Sequence, residues 1–246
     1  MALSVTVLGC SGTYASPGGA CSGYLVRSDT TSLWLDCGPG TLANVQDHVD
    51  LRDLDAVVVS HSHPDHWLEL PVLRNALKYA LGVDGLRVLG TAETKGFLDV
   101  ICSDGVAPTF AWETMSDGMR ASIGDLELQF SRTDHPVETL GVRISGGGRT
   151  LGYTADTGPD WSLSELDTDG HGFDLALCEA TLGASEEGTA PHSSARQTGS
   201  MATSSGVRHL VLTHLMAGTA DSRRHEAAAA FDGRVSIATI HERYEV

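Results

Sequence analysis

Between Ser60 and Pro71 the chain reads SHSHPDHWLELP, which puts His61, His63, Asp65 and His66 within six positions. Borderline-soft transition metals take imidazole and carboxylate ligands, and alternate residues of an extended segment share a face. His61 and His63 can therefore reach one ion. Asp65 and His66 follow a turn favoured by Pro64 and face a neighbouring position, so one short segment can serve two metals. Two ions need more ligands than this segment offers. Further candidates stand at the ends of predicted strands: His135 in SRTDHPVE, Asp156 in LGYTADTG and His214 in LVLTHLMAG. Loops at strand ends are where function sits on a rigid scaffold. Taken singly, each is an ordinary turn or satisfied polar residue. Their joint occurrence with the 61–66 segment points to a metal centre.

The elements that must position these residues follow from hydrophobic period and turn chemistry. LSVTVLG, SGYLVRS and TSLWLDCG read as strands, and LDAVVVSH is a buried strand that ends at the histidine segment. TLANVQDHV carries Leu42, Val45 and Val49 at helical spacing. In LELPVLRNALKYALG, Leu73, Leu77, Tyr79, Ala80 and Leu81 predict a helix with a broad apolar face closed by Gly82, a face for the core or for a homodimer. The second half continues with the strand GLRVLG, the helix AETKGFLDVIC and the strand LELQFSRTDH, then two strands around the Gly-rich turn of TLGVRISGGGRTLGYTAD. DLALCEATL, VRHLVLTH and RVSIAT are strands, separated by the helices SARQTGSMATSSG and DSRRHEAAAAF. Strands first and strand–helix units afterwards, twice over, suggest an α/β protein with two sheets face to face and helices outside.

Length and composition agree with one domain over residues 1–246: hydrophobic residues make up 41% and charged residues 20%, ordinary for a globular chain. A formal charge of −16 argues against a grip on nucleic acid, which rests on clustered Lys and Arg. Cys10, Cys21, Cys37, Cys102 and Cys178 are odd in number and contain no Cys-x-x-Cys pair, as expected of reduced thiols in a cytoplasm. The N-terminus shows no basic leader, and no segment approaches the roughly 18–20 apolar residues of a membrane span. A cytoplasmic protein without membrane contact is the expectation.

In order along the chain, LWLDCGPGT, HSHPDH, DHPVETLGVRI, YTADTG and LTHL resemble the five motifs of the metallo-β-lactamase superfamily, in its branch of ribonuclease Z-like enzymes and related phosphodiesterases. The resemblance spans nearly the whole chain and implies a four-layer αββα sandwich. It implies that His61, His63 and His135 hold one metal, that Asp65, His66 and His214 hold the other, and that Asp156 bridges them. Asp36 would orient a ligand histidine, as carboxylates beside metal sites commonly do. CEATLG and PHSSARQ resemble two further elements of that branch, which makes Glu179 and His192 an acid–base pair beside the metals. Cys178 departs from the branch, which often has His there. HSS before a helix also reads as a capping signature, with Ser193 or Ser194 as the cap.

Two divalent cations are thus the expected cofactors; imidazole-rich ligation suits zinc, and the mixed set also admits manganese or iron. Their four charges, less those of Asp65, Asp156 and a bridging hydroxide, leave a locally positive pocket in an acidic chain. A singly charged phosphodiester suits it better than a polyanion, which meets the repulsive exterior beyond a Debye length of about 8–10 Å. The expected function is hydrolysis of small phosphodiesters such as cyclic nucleotides by a hydroxide held between two metals, with Asp65, His192 and Glu179 as catalytic groups. No Lys- or Arg-rich arm appears, and the stretch between His135 and Asp156 is consumed by the hairpin around SGGG, which disfavours the tRNA 3′-processing alternative. Lactone or thioester hydrolysis on the same scaffold is a further alternative, and a non-catalytic metal-binding interaction module is the remotest. His48, His171, His209, His225 and His241 read as surface or capping residues.

Overall fold

The computed structural model describes residues 3–246. Alternating β-branched and aromatic residues open the chain and form β1 (Ser4–Gly9), β2 (Gly23–Arg27) and β3 (Ser32–Cys37). Helix α1 (Thr41–Val45) leads into β4 (Ala56–Val59), buried along its whole length. Next come the short helix α2 (Pro64–Trp67), α3 (Leu70–Asn75) with a π-helical extension over Ala76–Leu81, β5 (Leu86–Gly90), α4 (Ala92–Ile101) and β6 (Phe110–Thr114). The second half comprises β7 (Arg120–Ile123), β8 (Leu126–Arg132), β9 (Leu140–Gly146), β10 (Arg149–Tyr153) and β11 (Phe173–Glu179). It ends with α5 (Ala195–Ser204), β12 (Val207–Thr213), α6 (Ala220–Ala228), β13 (Arg234–Ile237) and β14 (Arg243–Glu245).

The strands form two seven-stranded sheets, ordered β14-β1-β2-β3-β4-β5-β6 and β13-β12-β11-β10-β9-β8-β7. Each sheet is antiparallel over one half and parallel over the other, changing at β3–β4 in the first and at β10–β11 in the second. The carboxyl ends of neighbouring parallel strands leave a crevice where α/β proteins bind ligands. Both crevices open toward the histidine segment: Asp36 is next to last in β3, His61 follows β4, Asp156 follows β10, Glu179 is the last residue of β11 and His214 follows β12.

Period-two alternation gives each sheet an inner and an outer apolar face. Val5, Tyr24, Leu35, Val58, Phe130, Val142, Ile144, Tyr153 and Leu177 fill the space between the sheets. Trp34, Val57, Val59 and Val88 pack outward beneath Leu42, Leu70, Leu73 and Leu98 of the helices. Ala176, Cys178, Leu210 and Leu212 do the same beneath α5 and α6. The result is the expected αββα sandwich. Gly147 and Gly148, with φ of 59° and 77°, make the two-residue turn between β9 and β10; two consecutive positive φ values are what such a hairpin needs.

Several local expectations change. β6, β7 and β14 carry no clear sequence signal: each is three to five residues long, and their burial patterns are broken by exposed positions. Helix α1 stops at Val45, although Leu42 and Val45 are buried as their spacing predicts and Val49 packs on the same cluster. After α3 the chain widens into the π-helical turn, so only Leu73 and Leu77 of the predicted apolar face are buried, while Tyr79 is 68% exposed and Ala80 lies outside. His48 and His241, read as surface or capping residues, lie at the surface with His48 Nε2 2.9 Å from His241 Nδ1. Among the described residues, no helix is long and apolar enough to cross a membrane.

Ile144 lies at the centre of the inter-sheet layer with no exposed surface. Ile144→Ala should cost about 2–5 kcal/mol, the usual range for emptying a buried aliphatic site. Denaturant unfolding of the two proteins measures it.

Candidate metal centre

The centre begins with a buried carboxylate. Asp36, next to last in β3, lies in the left-handed region (φ 53°), a conformation few non-glycine residues adopt, which turns its side chain across the sheet end. Its Oδ1 accepts the Ser60 N–H at 2.7 Å. Its Oδ2 accepts the Ser60 hydroxyl at 2.8 Å, His66 Nδ1–H at 2.8 Å and the Tyr153 hydroxyl at 2.7 Å. A fully buried charge is tolerable only when so supplied with donors. In its neutral form His66 therefore carries its hydrogen on Nδ1 and leaves Nε2 as the atom for a metal, and Asp36 stands in the orienting position the family resemblance implies.

Ser60 spends its proton on Asp36, so its oxygen accepts His61 Nδ1–H at 3.0 Å and leaves a lone pair on His61 Nε2. His135 Nδ1 donates to the Pro191 carbonyl at 3.1 Å, and its Nε2 lies 3.1 Å from His63 Nδ1. On the other side Thr181 works as Ser60 does: its hydroxyl donates to Glu179 Oε2 at 2.7 Å and accepts from His214 Nδ1 at 2.9 Å. His214 Nε2 then faces Asp65 Oδ2 at 3.1 Å, and that oxygen also accepts the Thr13 N–H at 2.9 Å. A backbone or carboxylate partner on the far nitrogen is the usual way a ligand imidazole is fixed.

Asp156 lies between the two groups. Its Oδ2 is 3.6 Å from His61 Nε2 and 4.0 Å from His135 Nε2, while its Oδ1 is 3.3 Å from His66 Nε2 and 3.5 Å from His214 Nε2. One carboxylate therefore offers an oxygen to each side. His61, His63, His135 and Asp156 place ligand atoms within 4.8 Å of one another, and so do Asp65, His66 and His214.

These residues suit divalent ions on a direct test. His61 Nε2, His66 Nε2 and Asp156 Oδ1 are buried and lack a hydrogen-bond partner among the described residues, an arrangement that costs about 1–3 kcal/mol per atom when nothing occupies the space between. The separations across each group also match. Ligands about 2.0–2.1 Å from a tetrahedral ion lie roughly 3.3–3.4 Å apart, close to the distances above. Burial and the neighbouring imidazoles hold the His61 ring well below its ordinary pKa. Burial acts the same way on His66 and His214, but Asp156, with Asp36 beside His66 and Asp65 beside His214, outweighs it and raises both. Burial pushes the Asp156 carboxyl up, and the imidazoles around it pull it well below the usual range. The cluster holds carboxylate charge that attracts cations, protons or metal ions alike, and metal binding releases those protons.

Beside this cluster stands the pair Glu179 and His192. His192 Nδ1 is 2.8 Å from Glu179 Oε1, which also accepts the Thr157 N–H at 2.8 Å. Burial works against charge on His192, and the Glu179 carboxylate overcomes it, raising the ring to about 8. With Asp156 and His214, His192 forms a third group whose ligand atoms approach within 4.8 Å. The expected cap is present as well: Ser194 accepts the Gln197 N–H and starts α5. Cys178 points into the outer core under α5, away from the centre, so the missing histidine at that position leaves Glu179 and His192 undisturbed.

Residues 31–215 match the family model described as "Beta-lactamase superfamily domain". The chain is 33% identical to the probable metallo-hydrolase YhfI of Bacillus subtilis, over 96% of this chain and 97% of that one. The chain belongs to the metallo-β-lactamase superfamily and is a metallo-hydrolase. Across the full length of both chains it superposes on the crystal structure of YhfI with a TM-score of 0.89 at 29% identity. It is also 26% identical to ribonuclease Z of Haloferax volcanii, over 100% of this chain and 96% of that one. Yeast PDE1 shares the fold at a TM-score of 0.76 and 13% identity, covering 100% of this chain and 99% of that one.

Sequence reasoning passed over the residues that orient the superfamily cluster. Ser60, Tyr153 and Thr181 stand inside quoted motifs, but their roles depend on partners far along the chain. Thr13 and Gly12 come from the 11–20 loop, where a Cβ on Gly12 would stand 2.7 Å from the His214 carbonyl oxygen and 3.0 Å from its Nδ1. Asp134 anchors the loop that follows Asp156: its carbonyl takes the Gly158 N–H at 2.6 Å and its Oδ2 the Asp160 N–H at 3.1 Å.

Asp36→Asn exchanges one acceptor oxygen for an amide nitrogen where every neighbour donates. Affinity for divalent metal should fall about 10- to 100-fold, as when other orienting partners are removed. Competition with a chromophoric chelator reads the change, and equal affinities would remove Asp36 from this role.

Proposed function

We propose that this metallo-hydrolase cleaves small phosphodiesters, with cyclic nucleotides as the leading class, at two divalent ions that are zinc in the first instance. The observation that carries the reading is the division of Asp156 between two imidazole groups, Oδ2 toward His61 and His135 and Oδ1 toward His66 and His214. His61, His63 and His135 would hold one ion, Asp65, His66 and His214 the other, with Asp156 shared. Bound there, the ions supply Lewis acidity, lower the pKa of water to about 7 and neutralise charge on the attacking and leaving oxygens.

The chain's own residues supply the proton steps. Asp65 has Oδ2 on Thr13 N–H and His214 Nε2, which leaves Oδ1 to orient a nucleophilic water and take its proton. His192 has Nδ1 on Glu179, so Nε2 is the atom that donates to the leaving alkoxide. A ring raised to about 8 is protonated at neutral pH, as a general acid must be.

The acidic exterior, with its −16 charge, supports a small diester over a long RNA. So does the two-residue turn that joins β9 to β10, which leaves no room for a basic arm between His135 and Asp156. We place the protein in the cytoplasm, where its five free cysteines would stay reduced, and read residues 1–246 as one catalytic domain.

An activity panel of cyclic nucleotides, bis(p-nitrophenyl) phosphate, a precursor tRNA and a lactone on metal-replete protein tests the substrate class. Turnover of the small diesters is expected; preferential cleavage of the tRNA or the lactone would overturn it. His192→Ala should keep its metal content and slow diester cleavage by roughly 10²–10⁴, the range of general acid–base groups. Loss of metal instead would make His192 a ligand.

A further inference from the structure

Seven large apolar side chains of the described residues are exposed, and six of them lie between Leu68 and Ile101. The seventh, Tyr14, stands apart on the loop that joins β1 to β2 and is 56% exposed. Among the described residues its hydroxyl makes no hydrogen bond and its ring meets no aromatic or cationic partner. A lone exposed side chain is ordinary. The backbone that carries this one is not.

The loop is tied at its base, where the Ala20 carbonyl accepts both the Cys10 and the Ser11 N–H at 3.0 Å. Gly12 donates to the Leu215 carbonyl at 3.1 Å, beside His214, and Thr13 donates to Asp65 Oδ2 at 2.9 Å. Tyr14 then donates back to the Gly12 carbonyl at 2.7 Å, while Thr13 between them has a φ of 65°. That closure over three residues is the γ-turn of positive φ, which is rare and strained. A β-branched residue at its centre is a further outlier. Strain of this kind persists only where the surroundings over-determine it, and here Asp65 and Leu215 do so. Tyr14 is thereby held one Cα step, about 3.8 Å, from a residue that touches Asp65 and bonded to another that packs on His214. Its backbone is fixed at the rim of the metal centre and its ring is unengaged.

The surroundings of the ring select its ligand. A quaternary ammonium is held by a cage of aromatic rings, and an aliphatic chain asks for a contiguous apolar surface. Tyr14 offers neither, because its neighbours in the loop are the small residues Ser11, Gly12, Thr13, Ala15 and Ser16. A single flat ring suits a nucleobase, which stacks on one aromatic side chain whatever its edge carries. A nucleotide whose phosphodiester lies at the centre has its base one ribose away, toward the rim. A platform whose backbone is already fixed also costs less to order when the base arrives.

We propose that Tyr14 is the surface on which the base of a nucleotide substrate stacks, so that among small diesters the protein selects those that carry a base. The proposal rests on the phosphodiesterase reading above, and two measurements separate the two. The first is steady-state hydrolysis of cyclic AMP and of methyl ribofuranoside 3′,5′-cyclic phosphate, which has a methoxy group in place of the base. Tyr14→Ala should raise KM for cyclic AMP about 5- to 150-fold, the loss on removing one base-stacking side chain, with kcat retained because stacking serves ground and transition states alike. KM for the base-free compound should stay as in wild type. Tyr14→Phe keeps the flat ring and should match wild type on both compounds.

The second measurement needs no turnover: calorimetric binding of AMP and of ribose 5-phosphate to the metal-replete chain. Wild type should prefer AMP by a similar factor, and Tyr14→Ala should lose the preference. A chain that shows this preference but hydrolyses neither cyclic phosphate would end the phosphodiesterase reading and support the stacking role of Tyr14. Wild type that binds AMP no better than ribose 5-phosphate would overturn that role. So would a Tyr14→Ala chain that weakens base-bearing and base-free ligands equally or leaves both unchanged, and a Tyr14→Phe chain that behaves like the alanine variant.

Discussion

The centre is governed by what it costs to bury the Asp156 carboxylate among four imidazoles. Its two oxygens face opposite groups at 3.3–4.0 Å, and Oδ1 has no hydrogen-bond partner among the described residues. Such an arrangement is expensive without positive charge in the gaps. The rest of the cluster keeps those gaps open. Asp36, Ser60, Thr181 and the Pro191 carbonyl each occupy the far nitrogen of one imidazole, so that the near nitrogens of His66, His61, His214 and His135 converge as acceptors.

That convergence depends on the way the two sheets are built. Each changes from antiparallel to parallel pairing near its middle, and the strand ends beside the change bring Asp36 and His61 from one sheet against Asp156, Glu179 and His214 from the other. Asp36, Ala155 and His214 all have φ between 52° and 55°, an uncommon conformation for residues with a side chain. Strain of this kind persists only where the surroundings over-determine it, and it clusters at functional sites. Here it turns three strand ends toward one point. Tyr153 and Tyr24 fasten the two sheets behind that point, through Asp36 Oδ2 at 2.7 Å and Thr213 Oγ1 at 2.5 Å.

What could be read from the sequence was what is local. His61, His63, Asp65 and His66 announce themselves because four ligand residues share one strand end, and His135, Asp156 and His214 because each follows an apolar strand. The long, strongly alternating strands were legible for the same reason. Ser60, Thr181 and Tyr153 were not, because a hydroxyl acquires its role only when a partner many residues away arrives at hydrogen-bond distance. β6 and β14, short and partly exposed at the sheet edges, carry too little alternation to be seen. The segment 70–81 shows the opposite failure: its helical spacing was plain, but the π-helical turn rotates Tyr79 outward and changes which residues form the face.

The most direct test is the number of divalent ions bound per chain, measured by elemental analysis after dialysis, for wild type and Asp156→Ala. Two ions per wild-type chain are expected, with both weakened by the substitution while the protein stays folded. One ion at saturation, or an Asp156→Ala chain that keeps two with unchanged affinity, would contradict a centre built around a shared carboxylate.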